Sequence, residues 1–226
     1  MTSAVRQVAV LLGGGIESTA LVSRYLAESR PVTPVHVHCG LIWDDCEAAH
    51  VRQFCDASAA PGLAPLIEVR VSLKDFLGDH WAVTGVNVPR ANDPAAKLEI
   101  PLRNLMLLSF ALHRLKQFGE FSLALGTTIE NCFRDGSRDY FDKCEEVLTF
   151  EAGWPVQVLT PLIGLTKTEV IRSADRRTLA HSFSCVNPER DRHCGRCIKC
   201  AKRQAAFRDA GVPDPTIYAS QSSPTA

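Results

Sequence analysis

The sequence has no net charge, few aromatic residues and no long apolar run. Its 25 lysines and arginines balance 25 aspartates and glutamates, and aromatic residues make up 7% of the 226 positions. Proteins that bind nucleic acid through its phosphates and bases are typically basic and carry clustered aromatics, so this composition argues against nucleic acid as a direct substrate. Because no apolar run approaches about 18 residues, the sequence predicts no membrane span.

The first residues also lack a secretory signal. The stretch MTSAVRQVAVLLGGG contains one arginine and a short apolar run, with no small-residue cleavage pattern. We therefore expect a cytoplasmic protein. Apolar residues make up 46% of the chain, which is enough for a full hydrophobic core without stapling by disulfides.

Apolar periodicity predicts an alternation of strands and helices. The predicted strands cover residues 6–12, 32–39, 63–73, 121–127 and 156–162. The predicted helices cover residues 18–29, 44–58, 100–119, 139–151 and 166–177. Residues 74–99 are polar and are predicted to form a long loop. This alternation predicts an α/β fold with a doubly wound, mostly parallel five-stranded sheet, in which ligands bind at the carboxyl ends of the strands.

Three glycines follow the first predicted strand, in the segment VAVLLGGGIESTALV. Glycines ahead of a helix let backbone N–H groups approach a phosphate closely. A dinucleotide-binding fingerprint needs a glycine where Ser18 stands and an acid at the end of the second strand, which HVHCG lacks, and a Walker loop needs a lysine that is absent. Two interpretations remain: a plain strand–helix turn, and the PP-loop S-G-G-x-D-S of ATP pyrophosphatases.

The segment GGGIES matches the PP-loop at Gly14, Gly15 and Ser18, and at Glu17 if glutamate is accepted for aspartate. Gly13 stands where serine is usual and removes a hydroxyl donor. Under this interpretation the predicted ATP-binding residues are those of the turn, its flanks and the glycine that ends the fourth strand: Leu12, Gly13, Gly14, Gly15, Ile16, Glu17, Ser18, Thr19 and Gly126.

Four of the nine cysteines lie within sixteen residues, in the segment SCVNPERDRHCGRCIKC. They have the spacing C-x8-C-x2-C-x2-C and are Cys185, Cys194, Cys197 and Cys200. Four thiolates at such spacing suit a tetrahedral ion, so we predict one structural zinc per chain, although an iron–sulfur cluster uses the same ligands. His193 is an alternative ligand that the fourth cysteine makes unnecessary, and we expect it to be a solvated neighbour.

In this order, the two motifs resemble those of the QueC family, the 7-cyano-7-deazaguanine synthases, over residues 5–205. The segment IPLRNLMLLSFAL is similar to the family's V-P-G-R-N segment, with Leu102 where glycine is usual. LALGTTIEN resembles its strand that ends in glycine, DGSRDYF its D-C-R-x-x-F stretch, and LTPLIGLTKTEVI its T-P-L-x-x-x-x-K-x-E segment. The segment HCGLIWDDCEAAH departs and keeps only Gly40 of the family pattern, so the substrate can differ.

The resemblance implies an adenine nucleotide alpha hydrolase-like fold, a homodimer and an ATP-dependent ligase. Such an enzyme adenylates 7-carboxy-7-deazaguanine and uses ammonia to form first an amide and then the nitrile. It implies Mg²⁺ with the ATP, and catalytic roles for Glu17, Arg103, Lys167 and Arg138. The alternative, non-catalytic interpretations are that Arg103 pairs with Glu99 and that Lys167 is an exposed residue in the first turn of its helix.

The predicted organisation is a PP-loop domain over 1–180, a zinc-binding lobe over 181–212 and a flexible tail over 213–226. Three other functions remain open at this point. The activated acyl group passes to a different amine, in a defence or DNA-modification pathway; the chain is a non-catalytic zinc and nucleotide-binding module; or it transfers sulfur to tRNA with Cys39 and Cys132. Trp43, in the departing segment, either stacks on a purine or packs in the core.

Overall fold

The protein is described here from a computed structural model, which covers residues 7–220. Its centre is a five-stranded sheet whose strands are all parallel, in the order β3-β2-β1-β4-β5. The strands are β1 Gln7–Leu11, β2 Val32–His38, β3 Ile67–Arg70, β4 Phe121–Ala124 and β5 Val158–Leu159. The prediction of a doubly wound, parallel five-stranded sheet is confirmed.

Nine helices surround this sheet in the described part of the chain. They are α1 Ile16–Ala27, α2 Asp44–Ala57, α3 Lys74–Leu77, α4 Trp81–Thr84, α5 Arg103–Leu115, α6 Arg138–Ala152, α7 Lys167–Ser173, α8 Arg176–Ala180 and α9 Ile198–Ala210. None of the helices within residues 7–220 combines the length and apolarity that crossing a membrane requires.

Both faces of the sheet are buried, as the near-continuous apolar strands require. Successive residues of a strand point to opposite faces. Ala9 and Leu11 of β1 join a core formed with α5 and α6, whereas Val8 and Val10 join a second core formed with α1, α2 and α7. The strand order reverses at β1, which pairs with β2 on one side and β4 on the other. A doubly wound sheet binds its ligands at this switch point.

The edge strands are shorter than predicted. The apolar stretches 63–73 and 156–162 form strands only at residues 67–70 and 158–159. Each of these strands has a single neighbour in the sheet, so fewer backbone hydrogen bonds hold it. The remaining apolar side chains, such as Val156, are buried by packing without joining a strand. Apolar periodicity predicts which side chains are buried, and at these two edges more residues are buried than are paired in a strand.

The predicted loop at 74–99 contains two short helices and a 3₁₀ turn at Ala95–Leu98. Helix α4 begins where the His80 side chain accepts a hydrogen bond from Ala82 N, and it ends at Gly85 in the left-handed region. The single helix predicted at 166–177 is two helices, because Ala174 is extended and Asp175 caps α8. Helix α9 was not predicted.

Residues 213–220 lie against the four-cysteine segment: Ala219 N donates to His193 O at 2.8 Å, and Ser220 Oγ donates to Cys194 O at 2.5 Å. The remainder of the predicted tail, residues 221–226, lies outside the described residues. So do residues 1–6 of the first predicted domain, of which residue 6 begins the first predicted strand. The domain boundaries stay predictions.

Candidate functional site

The glycine turn between β1 and α1 leaves the first N–H groups of α1 without a side-chain cap. Gly15 is the N-cap and is extended, and glycine has no side chain that could accept from these donors. The hydroxyls of Ser18 and Thr19 instead donate to Gly15 O, at 3.2 and 2.9 Å. Uncapped N–H groups at a helix N-terminus, together with the positive end of the helix dipole, favour an anion.

Two glycines are required by this packing. Gly14 has φ +70°, a conformation that residues with a side chain rarely adopt. A Cβ on Gly126 would lie 2.7 Å from Glu17 C and Ser18 N, so only glycine lets the end of β4 approach the turn. Gly13 is different: its φ is ordinary and a Cβ there would meet nothing closer than Glu47 Oε1 at 3.8 Å.

A cavity of about 320 Å³ opens above the turn at the carboxyl ends of β1, β2 and β4. Of the predicted ATP-binding residues, those that line it are Leu12, Gly13, Gly15, Glu17, Ser18 and Gly126. Ile16 and Thr19 are buried beneath the turn, and Gly14 shapes it. The cavity is also lined by Arg103 and Lys167, so the structure brings these predicted cations to the glycine turn.

Lys167 forms an ion pair with Glu17 at the floor of the cavity, with Nζ 2.5 Å from Oε1. The lysine is only 8% exposed, so the interpretation of Lys167 as an exposed first-turn residue is wrong. Burial opposes ionisation of Glu17, but the Lys167 ammonium and its hydrogen bond outweigh burial and hold the pKa of that carboxyl below its ordinary value. A capping box of Thr166 and Glu169 begins α7 at Lys167.

Arg103 lies at the start of α5, and its Nε is buried without a hydrogen-bond partner among the described residues. No ion pair joins it to Glu99 within residues 7–220, although both line the cavity. The preceding Leu102 is left-handed, with φ 58°, which explains why glycine suits this position. The guanidinium is thus available to a ligand.

Arg138 is not brought to the cavity. Its guanidinium donates to Val158 O at 2.6 Å and to Glu145 at 2.9 Å, and it pairs with Asp142. These bonds fasten the start of α6 to the edge strand β5, and the side chain borders a different groove. Its predicted catalytic role stays a prediction, and the function proposed below does not use it.

Five charged residues that line the cavity were not predicted: Glu47, Glu130, Asp135, Lys199 and Lys202. Burial raises the pKa of Glu47 to about 8, with Asp44 adding to the shift and Arg103 opposing it. Burial lowers the pKa of Lys199 to about 8, and the neighbouring Lys167 adds to the shift. Glu47 stands in no motif, and Lys199 lies between two cysteines of a motif that specifies only the cysteines, so the fold reveals both residues as part of the cavity.

The departing segment after β2 forms one wall of the cavity. Trp43 is buried and stacks on Trp81 with ring centroids 5.5 Å apart, and it also lines the cavity. Asp44 fixes the turn before it by accepting hydrogen bonds from Cys39 N and Gly40 N, both at 2.6 Å. Trp43 therefore packs in the core while presenting part of its surface to a ligand.

The four predicted metal ligands converge. Their sulfur atoms all lie within 4.8 Å of one another, and all four residues are buried. Backbone N–H groups point at these sulfurs; for example, Asn187 N and Cys194 N each lie 3.3 Å from Cys185 Sγ. Such donors stabilise thiolates, so the cluster fits a tetrahedral metal ion. His193 is not a solvated neighbour: it is 4% exposed and its Nε2 accepts from Ser184 N.

The cysteine cluster is joined directly to the glycine turn. Phe183 N, two residues before the first ligand, donates to Gly14 O at 2.7 Å. Arg203 of α9 is fully buried and donates to Ser182 Oγ at 2.9 Å and to Leu179 O at 3.3 Å. These bonds tie the ligand segment and α9 to the helices beside the turn.

The two cysteines of the sulfur-transfer hypothesis are not equivalent. Cys132 is exposed and lines the cavity, whereas Cys39 is buried and does not line it. Burial raises the pKa of Cys39 to about 12, which disfavours the reactive thiolate. The arrangement does not support a pair of reactive cysteines.

These features define a class: a doubly wound α/β protein with a PP-loop-type glycine turn and a four-cysteine metal-binding cluster. A solved structure described as a 4-thiouridine synthetase–RNA complex with bound ATP shares the fold, with a TM-score of 0.50 and 17% identity over 91% of this chain and 50% of that one.

The sequence model of the family described as "Queuosine biosynthesis protein QueC" matches residues 7–211. The chain belongs to this family. It is 29% identical to the 7-cyano-7-deazaguanine synthase of Anaeromyxobacter dehalogenans (strain 2CP-C), over 96% of this chain and 98% of that one. It is 32% identical to the protein of the same name from Pyrococcus furiosus, over 95% of this chain and 97% of that one.

Proposed function

We propose that the protein is an ATP-dependent ligase that adenylates the carboxylate of 7-carboxy-7-deazaguanine and, with ammonia, produces 7-cyano-7-deazaguanine through an amide. The observation that carries this proposal is the shared cavity: the glycine turn, the Glu17–Lys167 pair and the free Arg103 guanidinium all line it. Membership of the QueC family and the names of the curated relatives support the same reaction.

The proposed first step joins the two substrates. A carboxylate oxygen attacks the α-phosphorus of ATP, the bond to the bridging oxygen breaks, and pyrophosphate leaves. The N–H groups of the turn are fixed donors for the phosphates, and the Lys167 ammonium adds positive charge where the leaving group develops its negative charge. Catalysis by such a site consists mainly of positioning and electrostatic stabilisation.

The proposed role of Arg103 is to hold the deazapurine carboxylate beside the α-phosphate. Guanidinium groups bind carboxylates through paired N–H donors, and this one has a buried donor without a protein partner. Bound Mg²⁺ supplies further neutralisation of the phosphates, and Glu17 is the carboxylate of the turn that suits it.

The later steps follow from the acyl adenylate. Ammonia attacks the acyl carbon, AMP leaves, and loss of a proton yields the amide. The amide oxygen attacks the α-phosphorus of a second ATP, and pyrophosphate leaves. The oxygen then leaves as part of AMP, and loss of the two amide protons forms the nitrile. The residues that hold the first ATP serve the second one, because the same cavity is used again.

We propose that the four-cysteine cluster binds one structural zinc ion. The closed set of four buried thiols leaves no ligand position for a substrate, which is typical of a structural site. Its function is then to fix the 183–200 segment, which contacts the turn through Phe183. The proposal also includes a homodimer, which light scattering of the metal-loaded protein tests.

The direct test is to incubate the purified, zinc-loaded protein with ATP, Mg²⁺, 7-carboxy-7-deazaguanine and ammonia, and to follow AMP by chromatography and the products by mass. We expect AMP together with the nitrile. Absence of pyrophosphate release would instead favour a non-catalytic zinc and nucleotide-binding module.

A second candidate is a QueC-like enzyme that passes the acyl group to a different amine, in a defence or DNA-modification pathway. The observation that favours it is the cavity wall that contains Trp43, which stacks on Trp81. This wall is formed by the segment after β2 that differs from the family pattern. The same assay separates the two candidates, because AMP formed with the acid but without amide or nitrile from ammonia indicates another acceptor.

A further inference from the structure

Lys199 stands between two metal ligands and reaches the nucleotide cavity from the C-terminal side. It is the second residue of α9, and Cys197 caps this helix by accepting a hydrogen bond from Cys200 N at 3.4 Å. The sulfurs of Cys197 and Cys200 are each 3.9 Å from another sulfur of the cluster, so both flanks of Lys199 are fixed. The cluster thereby positions this lysine.

The Lys199 ammonium forms no hydrogen bond or ion pair with the residues that the structure describes. Its side chain is partly buried and lines the cavity together with Gly13 and Gly15. Two carboxyl groups lie near it: Glu17, which is already paired with Lys167, and Glu47, which forms no ion pair with it in the described chain. A cation withdrawn from water without a partner is costly, so a site that keeps one is built to receive an anion.

The cavity is lined by three lysines and Arg103, together with five carboxyl groups: Glu17, Glu47, Glu99, Glu130 and Asp135. Lys167 is paired with Glu17, whereas Lys199 and Lys202 line the same cavity and form no ion pair within the described chain. Gly13 contributes no hydroxyl to the turn. We propose that Lys199 is a phosphate-binding residue that contacts the pyrophosphate portion of ATP and supplies a donor that the turn itself lacks.

This inference rests on the proposed ATP-dependent function and is tested by binding. Calorimetry would compare Mg²⁺-ATP, inorganic pyrophosphate and adenosine on the metal-loaded wild type, Lys199→Met and Lys199→Arg. Arg208→Met is the control, because it removes one positive charge from an exposed position of the same helix. Removing one charge-assisted hydrogen bond is expected to weaken binding about tenfold or more.

We expect Lys199→Met to lose at least about tenfold in affinity for ATP and pyrophosphate and to bind adenosine as the wild type does. Lys199→Arg retains most of the affinity, and Arg208→Met is unchanged. Should Lys199→Met not fold, Lys199→Gln keeps a polar head of similar length for the same comparison. Unchanged pyrophosphate binding by a folded variant overturns the inference alone, whereas a wild type that binds neither ATP nor pyrophosphate overturns the proposed function with it.

Discussion

The four-cysteine cluster and the glycine turn touch each other, yet they are built in different ways. The cluster is made of side chains that lie within sixteen residues of the sequence, and its geometry follows from their spacing. The turn is made mostly of backbone groups, and its charged partners come from α5, α7 and α9. A local site is specified by its motif, whereas a distributed site is specified by the fold that assembles it.

The largest difference between the two regions is expected on removal of the metal. Structural zinc contributes folding free energy outright, on the order of 10 kcal/mol of binding in small zinc modules. We expect Cys200→Ser to lose the bound metal and to unfold at a temperature lower by about ten degrees or more. Metal analysis and thermal unfolding test this; Cys55→Ser, at a half-buried cysteine outside the cluster, is the control.

Loss of the ion pair in the cavity is expected to have the next largest effect. Lys167→Met leaves Glu17 without its counter-ion, which we expect to cost about 3 kcal/mol at pH 7. Since the pKa of Glu17 is lowered in the folded state, the pair's contribution is present above its ordinary value of 4.5 and is lost as the pH falls through the folded value. Urea unfolding at pH 7 and pH 3 checks this; an equal loss at both pH values contradicts the account.

The close approach of β4 to the turn predicts an effect of about 2 kcal/mol. Gly126→Ala places a methyl group 2.7 Å from backbone atoms of Glu17 and Ser18, which cannot move without distorting the turn. We expect lower stability and weaker ATP binding. Gly164→Ala is the matched control because a Cβ there meets nothing within 4 Å, and it should change neither quantity.

The smallest expected effect concerns Glu47, whose pKa is raised from 4.5 to about 8 in the folded protein. As the pH rises above 4.5 the unfolded chain releases this proton first, so stability falls between about 4.5 and 8 and is level above. Glu47→Gln should therefore gain at least about 1 kcal/mol at pH 9 and little at pH 4.5. Thermal melts at both pH values measure this, and a pH-independent gain counts against a protonated Glu47.

The comparison also explains which parts of the site the sequence could predict. The cysteines, the glycine turn and the parallel sheet were predicted because spacing and periodicity are local signals. Lys167 was predicted as a candidate but not as a buried one, because its burial depends on Glu17, 150 positions earlier. Glu47 carries no local signal, since a single charge on a helix is ordinarily solvated. Lys199 lies within the cysteine motif, but that motif specifies the cysteines and not the residues between them.

Arg138 is a residue that a family motif singled out but that has ion-pair partners on its own helix. It matched a family segment, but Asp142 and Glu145 lie four and seven positions further along the same helix and pair with it. The i,i+4 carboxylate is visible in the sequence and predicts this ion pair on the helix surface. A motif match thus needs to be weighed against the local partners that the same sequence offers.

The account's central claim is that the cavity above the glycine turn activates a carboxylate with ATP. Exchange of labelled pyrophosphate into ATP tests it most directly, because only reversible adenylation links the two. We predict exchange that requires 7-carboxy-7-deazaguanine and Mg²⁺, that needs no ammonia, and that is lost in Lys167→Met. Absence of exchange by folded, metal-loaded protein that binds both ATP and the acid would contradict the claim.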